Sequence, residues 1–197
     1  MVTTRFAYIC RPFAQGLLDK TRALDELEFN RHQRARLRES ISDDVRKLCD
    51  MLVPDARHPQ VSVAAAEKAT AIGVDLRQET WHSQTRFDPK RAVFHFEHMT
   101  PVSQIAKALA CADSVGAIVQ TLSDGLQLAW ITKGEDARLT ALGYRHKRPD
   151  PDAAYEEAEI VLLASLPDLV HDRSVAAGDF DRVIGVLAAE VVPRRVV

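Results

Sequence analysis

Three observations predict an α+β fold that is mainly helical, with a hairpin and a following helix embedded near the middle. Apolar residues recur at helical intervals through most of the first seventy positions. Two short runs, Val93 to Phe96 and Leu126 to Ile131, are apolar and aromatic in the manner of strands. Directly after the second run, Thr132-Lys133-Gly134-Glu135 has the form of a capping box, with threonine at the N-cap and glutamate three residues on. The chain has 197 residues, 46% hydrophobic and 27% charged, which suffices for a sizeable core and argues against wholesale disorder.

Taken in order, Thr3 to Cys10 is β-branched and aromatic enough for a short strand, ended by Arg11-Pro12. Leu17, Leu18, Leu24, Leu27 and Leu37 then mark one long amphipathic helix from Phe13 to about Glu39, interruptible near Asn30. Ser40 to Asp44 supplies a cap and acids for a further helix with an apolar stripe of Val45, Leu48, Cys49 and Leu52, closed by Pro54. Ser62 is the N-cap of a helix from Val63 to Ile72 that Gly73 ends. Residues 1–73 thus form a mainly helical region.

The stretch 74–150 begins irregularly, with Trp81-His82-Ser83-Gln84 and a turn at Phe87-Asp88-Pro89-Lys90. The first strand follows, and Pro101 prevents its continuation. Ser103 can cap a helix through Ala112, and Asp113 or Ser114 another through Leu122, before Ser123-Asp124-Gly125 turns into the second strand. Its capping box opens a helix to about Leu142. A C-terminal helical region, 151–197, contains a helix from Ala153 to Leu163, an interruption at Pro167 and a final helix from Phe180 to Glu190.

The net charge of −2 makes no global case for a nucleic-acid partner. Local charge is uneven: from Asp152 onward, nine acids face four Lys and Arg, leaving the preceding part slightly basic. Cys10, Cys49 and Cys111 are odd in number and widely spaced, which favours reduced thiols in a cytoplasmic protein over a disulfide framework. No signal-like N-terminus or membrane span is legible.

The chemistry concentrates at Glu97-His98-Met99-Thr100-Pro101. Adjacent strand residues point to opposite faces, so Glu97 and His98 can address one site only if the strand bends or bulges near Pro101. This stretch, followed by a second strand and a helix, resembles the core of the HNH (ββα-metal, His-Me finger) endonucleases. The resemblance spans about 94 to 140, with the segment from Pro101 to Leu126 as a helical insertion. It implies a Mg²⁺- or Mn²⁺-dependent DNA endonuclease, of the kind used in restriction or phage defence. Cutting both strands would favour a homodimer.

The same resemblance implies that His98 is the general base and that Glu97 is a metal ligand. Asp136 and Glu135 fall where the family carries helix ligands; Asp136 is preferred, because Glu135 has the capping box to complete. Arg145, His146, Lys147 and Arg148 form the densest basic run and would hold phosphates. His82 and Gln84 could contact a base, with Trp81 beside them as a stacking surface or a core anchor. Arg31, Arg34 and Arg38 form a second basic stripe or a set of solvated pairs. Three competing readings stay open: a zinc site from His95, His98, His82 and Cys111, a non-catalytic nucleic-acid-binding or regulatory protein that keeps the hairpin as scaffold, and a metal hydrolase acting on something smaller than DNA.

Overall fold

Phe6, Cys10, Ala14, Leu17, Leu18 and Thr21 follow one another around a single face of a helix, and all are buried. In the computed structural model, which describes residues 4–163, they line the inner face of α1 (Thr4–Glu26). The strand expected at Thr3 to Cys10 is therefore a helix: its aromatic and β-branched residues sit at helical spacing, and burial of that stripe overrides β propensity. Pro12 lies inside this helix on its exposed side. Tyr8, whose carbonyl loses a helical partner there, is 77% exposed, so water can replace the missing bond.

Asn30 does break the helical run. It caps α2 (Arg31–Leu52) in a capping box with Gln33. Ser40, expected as a cap, sits in the middle of this continuous helix. Its hydroxyl accepts a hydrogen bond from Lys20 Nζ, which also pairs with Asp44 and so ties α2 to α1. Of the arginine stripe, Arg34 is spent on the carbonyl of Leu24.

Ser62 caps α3 (Val63–Ala71), and Gly73, with φ +69°, turns the chain away after it. Immediately before that cap lies β1 (Gln60–Val61), which pairs parallel with β3 (Leu128–Thr132). On the other side β3 pairs antiparallel with β2 (Phe94–His98), in a register running from Phe94 opposite Thr132 to His98 opposite Leu128. The sheet order is β1-β3-β2, and every residue of the central β3 is buried. Between β2 and β3 the chain makes the helical excursion α4 (Val102–Leu109) and α5 (Val115–Gly125). Ser114 caps α5, whereas α4 begins one residue before Ser103 and has no side-chain cap.

The capping box Thr132–Glu135 opens α6 (Lys133–Ala141) without an intervening loop. Strand, antiparallel strand and helix thus follow in the order expected. Asp150 and Pro151 start α7 (Pro151–Glu157), which is shorter than the helix expected to Leu163. Pro167 and the helix expected at 180–190 lie outside the described residues. Among those described, no helix is long and apolar enough to cross a membrane.

Alternation along β3 divides the interior. Leu128 and Trp130 face a large core shared with α1, α2, α4 and α5, so the N-terminal helices and the hairpin bury one another's apolar surface. Ala129 and Ile131 face a smaller core with Met99, Leu139 of α6, and Ala154, Tyr155 and Ala158 around α7. Trp130 packs against Phe87, Phe94 and Phe96 with ring centroids 4.8 to 6.5 Å apart.

The turn before β2 is held by Asp88, which is 2% exposed. Its carboxylate accepts the N–H groups of Ala92, Val93 and Phe94 and the amide of Gln84. Burial alone would raise its pKa, but these donors outweigh burial and hold it below the usual value. Asp88→Ala orphans three backbone donors, and a loss of about 3 kcal/mol in urea denaturation is expected. A loss below about 1 kcal/mol would show that water can take over this role.

Candidate active site

On a regular strand, residues two apart share a face. β2 stays regular through His98, so His95 and Glu97 project together toward α6, while Phe94, Phe96 and His98 turn to the large core. His95 Nε2 lies 2.7 Å from Glu97 Oε2 and 3.7 Å from Asp136 Oδ1 in the first turn of α6. Lys133 Nζ lies 3.1 Å from His95 Nδ1. An ammonium can only donate, so Nδ1 is the acceptor and the neutral ring carries its proton on Nε2, donating it to Glu97.

Glu97 is gripped from the other side by Arg148, at 2.8 Å from Oε1. The Arg148 side chain is 1% exposed and donates further to the carbonyls of His98, Met99 and Tyr144. Gln104 of α4 clasps the Arg148 backbone from both sides, through its N–H and its carbonyl. Burial would raise the Glu97 pKa; the His95 and Arg148 partners outweigh it and keep the carboxylate ionised below its usual range.

His95, Glu97 and Asp136 can place one nitrogen and two carboxylate oxygens within 4.8 Å of one another, among the described residues the cluster suited to a cation. Arg145 and His146 stand on the rim of the same cleft, with Leu139 and Thr140 of α6 along its wall. The structure therefore brings together Glu97, Asp136, Arg145 and His146 of the residues picked out in the sequence. Lys147 is exposed, and Arg148 is a buried strut beneath Glu97 instead of a free phosphate ligand.

Other expected members fall elsewhere. His98 is the main correction: its Nδ1 lies 3.5 Å from Cys49 Sγ of α2, on the face opposite Glu97, because no bulge precedes Pro101. Glu135 is 3% exposed and turned inward, accepting from Thr132 N–H, Thr132 Oγ1 and Ser62 Oγ. Gln84 is buried and bonded to Asp88 and the Phe94 carbonyl, so it is no base-reading group. His82 pairs with Asp50 at 2.9 Å, and Trp81 is 44% exposed beneath the Arg91 guanidinium. The alternative zinc set of His95, His98, His82 and Cys111 is scattered: His95 and His98 lie on opposite faces, and Cys111 is exposed. His95 itself was legible through alternation, since His95-Phe96-Glu97 places the histidine and the acid on one side of any regular strand.

Burial depresses the His98 pKa to about 4, with Arg46 adding repulsion and Glu97 opposing it. The folded chain keeps this ring neutral down to that pH, whereas an unfolded chain protonates it near 6.5. Between these values the unfolded state binds the extra proton, so stability falls as pH is lowered through the window, by ~3 kcal/mol in full. Urea midpoints measured from pH 7 to 4 are expected to show this decline in the wild type and a flatter profile in His98→Phe. Identical slopes would exclude His98 as its source.

Compared with known proteins, the chain matches no family model, no curated protein and no solved structure.

Proposed function

We propose that this chain is a divalent-metal-dependent phosphodiester hydrolase of the HNH-like ββα-metal kind, acting on DNA, with its centre at His95, Glu97 and Asp136. The observation that supports the reading is this nitrogen-and-two-carboxylate cluster, built where an antiparallel strand pair meets a helix and rimmed by Arg145 and His146. The donor set fits a hard divalent cation. Of Mg²⁺ and Mn²⁺, the imidazole nitrogen favours Mn²⁺, because Mg²⁺ prefers an all-oxygen shell with much of its water retained.

A bound cation would supply Lewis-acid polarisation of a phosphoryl oxygen. Glu97 and Asp136 contribute the negative charge that retains it, and Arg148 fixes the Glu97 carboxylate in place. Arg145 attracts and orients the phosphate. His146, an imidazole on the rim, takes the proton from the attacking water. For Nε2 to act as a ligand, the neutral His95 ring must carry its proton on Nδ1 instead, so cation binding displaces the hydrogen bonds to both Glu97 and Lys133.

One observation favours a second reading, a non-catalytic nucleic-acid-binding protein. Both Glu97 oxygens already have partners, and a satisfied His95–Glu97–Arg148 network can serve simply to hold the loop after α6.

Plasmid cleavage with Mn²⁺, Mg²⁺ and EDTA separates the two. Cleavage faster in Mn²⁺ than in Mg²⁺ and abolished by EDTA is expected, with Asp136→Asn inactive and His146→Ala slower by about a hundredfold or more. His98→Asn, altered on the opposite face, is expected to keep its rate per folded molecule. DNA binding without hydrolysis in any metal would give first place to the binding protein. Loss in His98→Asn with retention in Asp136→Asn would return the centre to His98.

A further inference from the structure

Tyr155 of α7 is 2% exposed, in the small core among Met99, Ala129, Ile131 and Leu139, and its hydroxyl has no hydrogen-bond partner. A phenylalanine would fill that space without stranding a polar atom. The hydroxyl nevertheless lies within the electrostatic reach of the site. Burial raises the phenol pKa, and Glu97, Glu135 and Asp136 raise it further against the opposing effect of Arg148. The ring sits 5.7 Å from the Arg148 guanidinium carbon, and Arg148 Nε is likewise buried without a partner. Two buried groups without partners, the Tyr155 hydroxyl and Arg148 Nε, therefore belong to the ring and the guanidinium that stack beside the Glu97 ion pair.

Loading the cluster changes that balance. The Nε2 atom of His95 cannot both donate to Glu97 and bind a cation. Glu97 then loses its histidine donor and keeps Arg148, on Oε1, as its side-chain donor, which leaves room for a second. Building on the metal-centre reading above, we propose that Tyr155 is a positioning residue for that centre. Its hydroxyl, which has no other partner, donates to Glu97 when a cation takes the place of the His95–Glu97 bond. Such a donor behind a ligating carboxylate sets affinity without touching the metal.

Full-length wild type, Tyr155→Phe and Asp136→Asn, each titrated with Mn²⁺ by electron paramagnetic resonance and unfolded in urea with EDTA, test this. Wild type is expected to bind Mn²⁺, Tyr155→Phe to bind about tenfold more weakly, and Asp136→Asn to lose binding. The metal-free urea midpoint of Tyr155→Phe is expected to equal or exceed that of wild type, since no bond is removed. Unchanged Mn²⁺ affinity in Tyr155→Phe would overturn the role of Tyr155 and leave the metal centre standing. A lowered metal-free midpoint, or failure of that variant to fold, would show that the hydroxyl is already engaged and would overturn it too. Absence of Mn²⁺ binding by wild type would remove the metal centre and this proposal with it.

Discussion

The buried guanidinium of Arg148 is the interaction on which the cleft depends. It joins the Glu97 carboxylate to the carbonyls of His98, Met99 and Tyr144, thereby fixing the end of β2 to the loop after α6. Taking away one partner of such a buried, hydrogen-bonded pair typically costs about 3 to 5 kcal/mol, because the other charge is left unpaired away from water. Lysine could not substitute for it, since the contacts require a planar fork reaching several acceptors at once. With Arg148 held beneath the strand, Arg145 and His146, a few residues earlier, stand at the rim. One strut thus sets both the position of the acid and the placement of Arg145 and His146 beside it.

The second constraint is the two-residue period of β2. Phe94 and Phe96 must meet Trp130 in the large core, and this fixes the face on which every other residue of the strand appears. His98 shares the core face and packs against Cys49; His95 and Glu97 share the face toward α6. A histidine held neutral by burial beside a thiol and one bonded to a carboxylate in a cleft are chemically different groups, although three positions separate them. Moving His98 into the cleft would require a one-residue slip that also turns two phenylalanines out of the core.

The start of α6 is equally constrained. Thr132 ends β3 and caps the helix, so strand and helix join without slack. Glu135 spends its carboxylate on Thr132 and Ser62, bonding the helix start to the start of α3. Asp136, one position on, is the acid of that turn that faces His95. Local capping chemistry thereby decides which of two adjacent carboxylates is available for function.

By itself the sequence determined what local chemistry controls: the Thr132–Glu135 capping box, the Ser62 cap, a cap at Asp113 or Ser114, the strand pair followed by a helix, and the concentration of acid, imidazole and arginine near that hairpin. Caps and strand periodicity are satisfied within a few residues, so they can be read from a few residues. The first helix was obscured because its aromatic and β-branched residues also suit a strand, and only the core it meets selects the helical stripe of Phe6, Cys10 and Ala14. The roles of His98, Arg148 and Tyr155 were likewise decided by tertiary structure. Each depends on partners about 50 positions away or on another element: Cys49 for His98, Glu97 for Arg148, and the sheet face above α7 for Tyr155. Whether a polar side chain becomes a strut, a core group or a ligand depends on which distant groups share its buried volume, and no local pattern carries that information.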